Sequence, residues 1–211
     1  MLLRALEILG PDEGIYSRLA SSSYSLGRLD DAFDYLKKMP PQPGINTKLA
    51  MIRLDQEKPD EALAYCEAEL KQYPEYNLPH TCIGMALAMK GEPEKAQAHF
   101  ERSLELEQHS FFDQQSYADF LLGQKRYDEA LVHARESLHI NPAQARAHDT
   151  IGSIMLARGD LEQAREHITE ALRLQPDDED AMQNLQQLQA TFKNANDKRS
   201  RSPSALPSRD I

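Results

Sequence analysis

Apolar and small residues recur through most of the chain at the three- and four-residue spacing of a single helix face. Ile83 and Leu87 belong to one such stripe, and Ile151 and Met155 belong to another. A short polar segment follows each stripe, and a second stripe with the same spacing comes after it. The pattern therefore predicts pairs of helices joined by tight turns.

Glycine and proline mark most of the predicted turns. In three turns, glycine occupies the place where the first helix must stop in the left-handed conformation: Gly27, Gly91 and Gly159. Pro59 and Pro93 then lie in the first turn of a second helix, where the missing N–H costs nothing. Residues 125–127 read Lys-Arg-Tyr where the glycine is expected, so we expect this turn to be more strained.

An alanine near the start of each second helix reveals an internal repeat. Four of them follow one another at intervals of 34 residues: Ala62, Ala96, Ala130 and Ala164. Ala32 precedes Ala62 by 30 residues and marks an earlier copy with a shortened connection. Antiparallel helices joined by a tight turn approach closely only where a side chain is small. A fixed period in this range is the signature of a helical repeat array.

The pattern resembles the tetratricopeptide repeat family over roughly residues 15–190. The family's small, alanine, aromatic and proline positions correspond to Gly84, Ala96 and Phe100, and to Gly152, Ala164 and Pro176. The match to the family is imperfect. Cys66 and Ala134 occupy positions where the family has an aromatic residue. Glu69 replaces a small residue and Gln108 replaces proline. The resemblance implies an all-α, right-handed α-solenoid of antiparallel helix hairpins, a non-catalytic scaffold for protein binding.

The two ends differ from the repeats. Residues 1–11 read like the second helix of a partial preceding repeat, which suggests that the natural protein begins earlier. Residues 12–192 are expected to hold five repeats and a capping helix over residues 180–192 with a glutamine-rich outer face. Residues 193–211 form a polar, basic tail that is predicted to be disordered. Asp177 and Asp178 supply a negatively charged start for the capping helix.

Charge and cysteine content narrow the class of partner. The formal net charge is -10, although residues 189–211 contain five Lys or Arg and two Asp. An acidic body repels phosphate backbones, so nucleic acid is not the expected ligand. No apolar run approaches the roughly 20 residues of a membrane-spanning helix. Cys66 and Cys82 are interpreted as reduced packing residues, which predicts a reducing, cytoplasmic location.

Histidines are the main candidates for metal chemistry. His99, His133 and His167 recur at one place in successive repeats, roughly 10 Å apart if the helices stack. They cannot share a zinc ion, whose ligands lie within about 2.1 Å. We interpret them, with His80 and His148, as packing residues. No nucleophile has an identifiable partner and no glycine-rich phosphate loop is present, so no enzyme activity, metal or cofactor is expected.

The first helix of each hairpin is expected to line a concave groove. The residues predicted to face this groove are apolar and rich in methionine at its centre. Such a surface suits an apolar or weakly basic peptide or helix of a partner. The carboxylate clamp of chaperone adaptors in this family is absent, because Lys48 is the nearest basic residue. Ser17 and Ser21 flank a predicted surface that comprises Thr47, Met51, Leu78, Thr81, Met85, Met89, Phe112, Gln115, Asp119, Leu122, Asp149 and Ser153.

Two alternatives to a free-standing scaffold remain open. The alternative interpretation is that the chain is the non-catalytic repeat region of a larger enzyme such as a glycosyltransferase, where it would recruit substrate or a partner. The half-repeat at residues 1–11 motivates this alternative. A weaker hypothesis is self-association through the uncapped N-terminal hairpin.

Overall fold

A computed structural model describes residues 12–201, with residues 194–201 described by their backbone alone. Within this range the regular structure consists of eleven helices. Residues 1–11, the predicted partial repeat, and the tail residues 202–211 lie outside the described part of the chain. The helices are α1 (Glu13–Ser25), α2 (Leu29–Lys37), α3 (Ile45–Asp55), α4 (Pro59–Gln72), α5 (Asn77–Met89), α6 (Pro93–Leu106), α7 (Phe111–Gly123), α8 (Tyr127–Ile140), α9 (Ala145–Arg158), α10 (Leu161–Leu174) and α11 (Glu179–Arg201).

The chain divides into two compact units, residues 1–120 and residues 121–211. In the first unit α1 packs on α2, α3 on α4 and α5 on α6, and each of the three pairs is an antiparallel hairpin. In the second unit α9 packs on α8 and α10, and α11 packs on α9 and α10. The predicted all-α fold of stacked hairpins is confirmed.

One backbone position in every hairpin turn is left-handed. Gly27, Gly91 and Gly159 have φ angles of 69°, 74° and 79°, as their spacing predicted. The two remaining turns place a residue with a side chain there, Glu57 with φ 57° and Lys125 with φ 60°. The strain expected near residue 125 therefore falls on Lys125. A second strained turn at Glu57 was not foreseen.

Small residues sit where the helices of a hairpin cross. The repeat alanines Ala32, Ala62, Ala96, Ala130 and Ala164 are all fully buried. Gly152 of α9 shows how close the approach is, because a Cβ atom added there would lie 2.7 Å from Cγ1 of Ile168 on α10. A larger side chain at these positions would clash with the facing helix. This steric limit, rather than helix propensity, explains why alanine and glycine recur there.

A buried carboxylate holds the start of α3. Glu69 of α4 is almost fully buried, and its two carboxylate oxygens accept hydrogen bonds from the backbone N–H groups of Gly44 at 2.6 Å and Asn46 at 3.0 Å. These N–H groups have no partner within the helix, because they lie at its N-terminus, where negative charge is favoured. The departure of Glu69 from the repeat pattern thus compensates for the shortened connection before α3, which offers no side-chain cap of its own.

The last helix begins as predicted but extends further. Asp178 Oδ1 accepts a hydrogen bond of 3.1 Å from the N–H of Ala181 and so caps α11. Ala181 and Leu188 are buried on its inner face. The helix continues past residue 192 to Arg201. The disorder expected for residues 193–211 stays a prediction.

Candidate binding cavity

A cavity of about 490 Å³ opens in the first unit among α1, α3 and the N-terminal ends of α5 and α7. We call it the α1–α3 cavity. Its apolar wall is built from residues that the helical stripes direct to one side of the hairpins. These are Ala20, Leu36, Met51, Ile52, Leu78 and Phe112.

Hydroxyl groups form the polar part of the same wall. They come from Ser17, Ser21, Tyr24, Ser25, Thr47 and Tyr76. Tyr24 donates a hydrogen bond of 2.5 Å to Asp55 Oδ2. Burial raises the pKa of Tyr76, and the nearby carboxylates of Glu69 and Asp113 raise it further. Lys48 supplies the single formal charge among the lining residues, and its side chain is exposed.

Thr47 differs from the other hydroxyl residues because it is buried. Its relative exposure is 6%, and its Oγ1 has no hydrogen-bond partner among the described residues. A buried hydroxyl without a partner costs roughly 1–3 kcal/mol relative to a bonded one. Native structures contain few such groups.

Two of the equivalent residues in later repeats, Thr81 and Asp149, have polar partners. Thr81, 34 residues after Thr47, bonds to Ser103 Oγ at 2.7 Å and donates to Asp113 Oδ1 at 2.6 Å. In the second unit Asp149 accepts a 2.8 Å hydrogen bond from Asn184 Nδ2. In both cases a polar side chain of the following first helix is the partner. Pro79 of α5 lies 34 residues before Asp113 and is buried, and its ring offers no polar group, so the Thr47 hydroxyl is left without this partner.

The cavity contains only part of the surface predicted from the sequence. Thr47, Met51, Leu78 and Phe112 line it together, as do Ser17 and Ser21. Thr81 belongs elsewhere, because its hydrogen bonds to Asp113 and Ser103 keep it fully buried. Met89 is 49% exposed and does not line the cavity.

The other predicted groove residues lie outside the cavity. Gln115 is buried and donates a 2.6 Å hydrogen bond to Asp119. Asp149 and Ser153 of the second unit both bond to Asn184. Polar contacts within α7 and between α9 and α11 thus account for positions that helical periodicity alone assigned to an open surface. Met85 and Leu122 are half-buried and are not among the residues that line the cavity.

Tyr24 and Tyr76 were missed by sequence reasoning. Tyr76 lies in the loop before α5, where helical periodicity carries no information. Tyr24 lies near the end of α1, one turn beyond the predicted serines. In the structure Tyr76 lies against Gly44, since a Cβ atom added to that glycine would lie 3.1 Å from the Tyr76 hydroxyl. The sequence carries no pattern that predicts this contact.

Histidines pair within hairpins rather than between repeats. The rings of His80 and His99 are 5.2 Å apart with their Nδ1 atoms at 3.0 Å, and those of His148 and His167 are 5.2 Å apart with Nδ1 atoms at 3.1 Å. Burial lowers the pKa of His80, of His99 and of His167. The ring packing expected for these residues therefore takes the form of two equivalent pairs.

Both cysteines are free and buried, as expected of packing residues. The Cys82 side chain, followed by burial, raises the pKa of the Cys66 thiol. A cytoplasmic location stays a prediction. Within residues 12–193, no group of three or more metal-binding side chains comes together. No described helix is long and apolar enough to cross a membrane.

Stacked antiparallel hairpins with small residues at each crossing define a helical repeat protein. Two family models, both described as Tetratricopeptide repeat, match residues 47–110 and 121–188. The chain belongs to the tetratricopeptide repeat family. Proteins of this family are in general non-catalytic scaffolds for protein–protein interaction. No curated protein sequence matches the chain significantly.

Solved structures share the fold at low sequence identity. A thermophilic TPR protein of Thermus thermophilus is 19% identical with a TM-score of 0.73, over 84% of this chain and 99% of the other. YrrB, described as a TPR protein with an unusual peptide-binding site, is 21% identical with a TM-score of 0.55, over 88% and 97%. Yeast Tom70 is 17% identical with a TM-score of 0.71, over 92% and 43%. At these identities the likeness extends to the fold alone.

Proposed function

We propose that the chain holds a segment of a partner protein by taking one of its apolar side chains into the α1–α3 cavity. The observation that carries this proposal is a single one. Six apolar side chains converge on a cavity of about 490 Å³ that is open at the surface. Ligand sites in proteins typically enclose about 300–1,000 Å³ and are lined mainly by apolar groups.

The size of the cavity indicates an anchor of one or two large side chains. Burying one large apolar side chain contributes roughly 1.5–3 kcal/mol. Met51 and Phe112 are both half-buried in the free chain, so an entering side chain removes further apolar surface from water. Met51 also has a flexible thioether that adapts to the shape of the ligand.

The charge at the cavity favours a neutral or acidic segment over a basic one. Among the described residues, Lys48 is the single charged residue that lines the cavity, and no carboxylate does so. The apolar character expected from the sequence is retained, whereas the weakly basic character has less support. Met85 and Asp119 are proposed as flanking contacts for the rest of the segment, whereas the exposed Met89 is not.

A binding measurement on matched methionine variants tests the proposal. Peptides selected by display on the purified chain are titrated against the wild type, Met51→Glu and Met89→Glu. Met51→Glu places a charge inside the cavity and is expected to weaken binding at least tenfold, because a carboxylate without a partner resists burial. Met89→Glu adds the same charge at an exposed position outside the cavity and is expected to change the affinity by less than twofold.

Circular dichroism and thermal unfolding show whether each variant is folded. The proposal is wrong if folded Met51→Glu binds the peptides as tightly as the wild type. It is equally wrong if Met89→Glu weakens binding to the same degree, since charge rather than the cavity would then explain the loss.

A further inference from the structure

One stripe of α3 carries an opposite charge at each end of its apolar part. Lys48, Met51 and Ile52 line the α1–α3 cavity, and Asp55 follows them at the three- and four-residue spacing of the same helix face. Lys48 and Asp55 are thus separated by about 10.5 Å along the helix axis. Along the cavity the stripe consists of a base, two apolar residues and an acid.

Both charges are accessible to a ligand. The Lys48 side chain is exposed and forms no ion pair with a described residue. Glu13 lines a neighbouring cavity together with Lys48, but its carboxylate accepts a 2.5 Å hydrogen bond from Gln42 Nε2. Asp55 is also exposed, and its hydrogen bond from the cavity residue Tyr24 places the carboxylate at the rim. A carboxylate that accepts one hydrogen bond has room for further donors.

The helix dipole does not explain this order of charges. Lys48 is the fourth residue of α3 and lies near its N-terminal end, where the dipole favours negative charge. Asp55 is the last residue of the helix, where the dipole favours positive charge. The arrangement therefore opposes the local preference of the helix at both ends, and complementarity to a ligand supplies a reason for it.

We infer that the partner segment is an amphipathic helix that lies along α3, with an acidic side chain at Lys48, an apolar anchor in the cavity and a basic side chain at Asp55. This inference rests on the proposed function and specifies the chemistry of the segment. Its acid and base are seven residues apart, because positions i and i+7 share one helix face and are about 10.5 Å apart. The anchor occupies position i+3 or i+4 between them.

An extended segment fits the two charges less well. At roughly 3.3 Å per residue, about three residues of a strand cover the distance between Lys48 and Asp55. Side chains three residues apart in a strand point to opposite sides. One of the two charges would then turn away from α3, whereas a helix presents both on the side of the anchor.

Selection from a peptide library tests the charge pattern. Helical peptides with fixed leucines at i+3 and i+4 carry Glu, Gln or Lys at i and at i+7, and are selected on the wild type, Lys48→Glu and Asp55→Lys. The wild type is expected to enrich one Glu and one Lys, in either order, since the helix direction is free. Lys48→Glu leaves an acid at both ends of the stripe and is expected to enrich Lys at both positions. Asp55→Lys is expected to enrich Glu at both.

Two variants control for net charge. Lys71→Glu on α4 and Asp34→Lys on α2 make the same charge changes at exposed positions outside the cavity and are expected to keep the wild-type preference. Fluorescence anisotropy with one selected peptide measures the size of the effect. Lys48→Glu is expected to weaken binding about fivefold to tenfold, because it turns an exposed attraction into a repulsion, and Lys71→Glu by less than twofold. Circular dichroism checks that each variant is folded.

The spacing has its own test. Moving the basic residue of the selected peptide from i+7 to i+5 turns it away from α3 and is expected to weaken binding as much as its replacement by Gln. Equal binding of the i+5 and i+7 peptides, or no enrichment of any helical peptide, would overturn the helical segment.

The possible results separate this inference from the proposed function. Peptides that lose affinity in Met51→Glu but are selected with unchanged charges on Lys48→Glu and Asp55→Lys overturn the charged helix and leave the cavity proposal standing. The same change of preference in the two control variants also overturns it, because net charge alone would then explain the selection. Peptides that bind folded Met51→Glu as tightly as the wild type contradict both proposals.

Discussion

Thr47 and Thr81 occupy the same position of successive repeats but have opposite environments. Thr47→Val replaces a buried, unpartnered hydroxyl by a methyl group of the same shape. Removing such a group eliminates its desolvation cost, so we expect the free energy of unfolding to rise by about 1 kcal/mol. The same substitution at Thr81 removes a hydrogen bond to the buried carboxylate of Asp113 and a second one to Ser103.

The expected loss at Thr81 is larger than the gain at Thr47. A hydrogen bond to a charged group contributes about 1.5–3 kcal/mol, and Asp113 would keep its Asn77 donor but lose the Thr81 donor. We therefore expect Thr81→Val to lower the free energy of unfolding by about 3 kcal/mol. The two variants should thus differ by about 4 kcal/mol.

Urea unfolding followed by circular dichroism at 222 nm, with linear extrapolation to water, measures this difference. The wild type and both variants are compared at the same pH and salt concentration. The reasoning is refuted if Thr47→Val loses stability by more than about 1 kcal/mol, a loss that would show its hydroxyl is hydrogen-bonded in the free protein. Equal losses in both variants would refute it as well.

The remaining predictions concern the turns, the α3 cap and the histidine pairs. Lys125→Gly should raise the free energy of unfolding by about 1 kcal/mol, because it relieves a side chain at φ 60°; thermal unfolding checks this, and no gain would contradict the strain. Glu69→Gln should lower the free energy of unfolding by about 2 kcal/mol, because a neutral amide replaces the carboxylate that caps α3. Urea titration checks this, and an equal loss in the exposed control Glu67→Gln would contradict the cap. Burial lowers the pKa of His99 and His167 below 6.5, so their neutral forms stabilise the fold above that pH, and this contribution is lost as the pH falls through the folded-state pKa. The double variant His99→Gln, His167→Gln should therefore lose less stability than the wild type between pH 7.5 and 5.5, and an unchanged slope in urea unfolding would contradict the assignment.

Helical periodicity and turn residues predicted the fold well because each acts locally. Gly27, Gly91 and Gly159 marked left-handed turns, and Ala62 with its equivalents marked the crossings. Their physical causes lie within a few residues of sequence. The left-handed Glu57 turn was missed because nothing in its side chain signals that conformation.

The cavity was predicted less completely because it depends on which residues meet across helices. Thr47 and Met51 of α3 and Leu78 of α5, which periodicity placed on the groove-facing stripes, line the cavity; their role in binding stays a prediction. Thr81 follows the same stripe but is buried by Asp113, a partner 32 residues further along the chain. Periodicity gives the direction of a side chain, whereas its exposure depends on the neighbour that the next helix supplies.

The central claim is that a partner segment binds in the α1–α3 cavity, and site-specific crosslinking tests it most directly. Benzoylphenylalanine is placed at position 51 in one sample and at position 89 in another, and each is irradiated with a display-selected peptide. We expect mass spectrometry to find crosslinks from position 51, centred on the apolar residue of the peptide that enters the cavity, and few or none from position 89. Efficient crosslinking from position 89 with none from position 51 would contradict the claim.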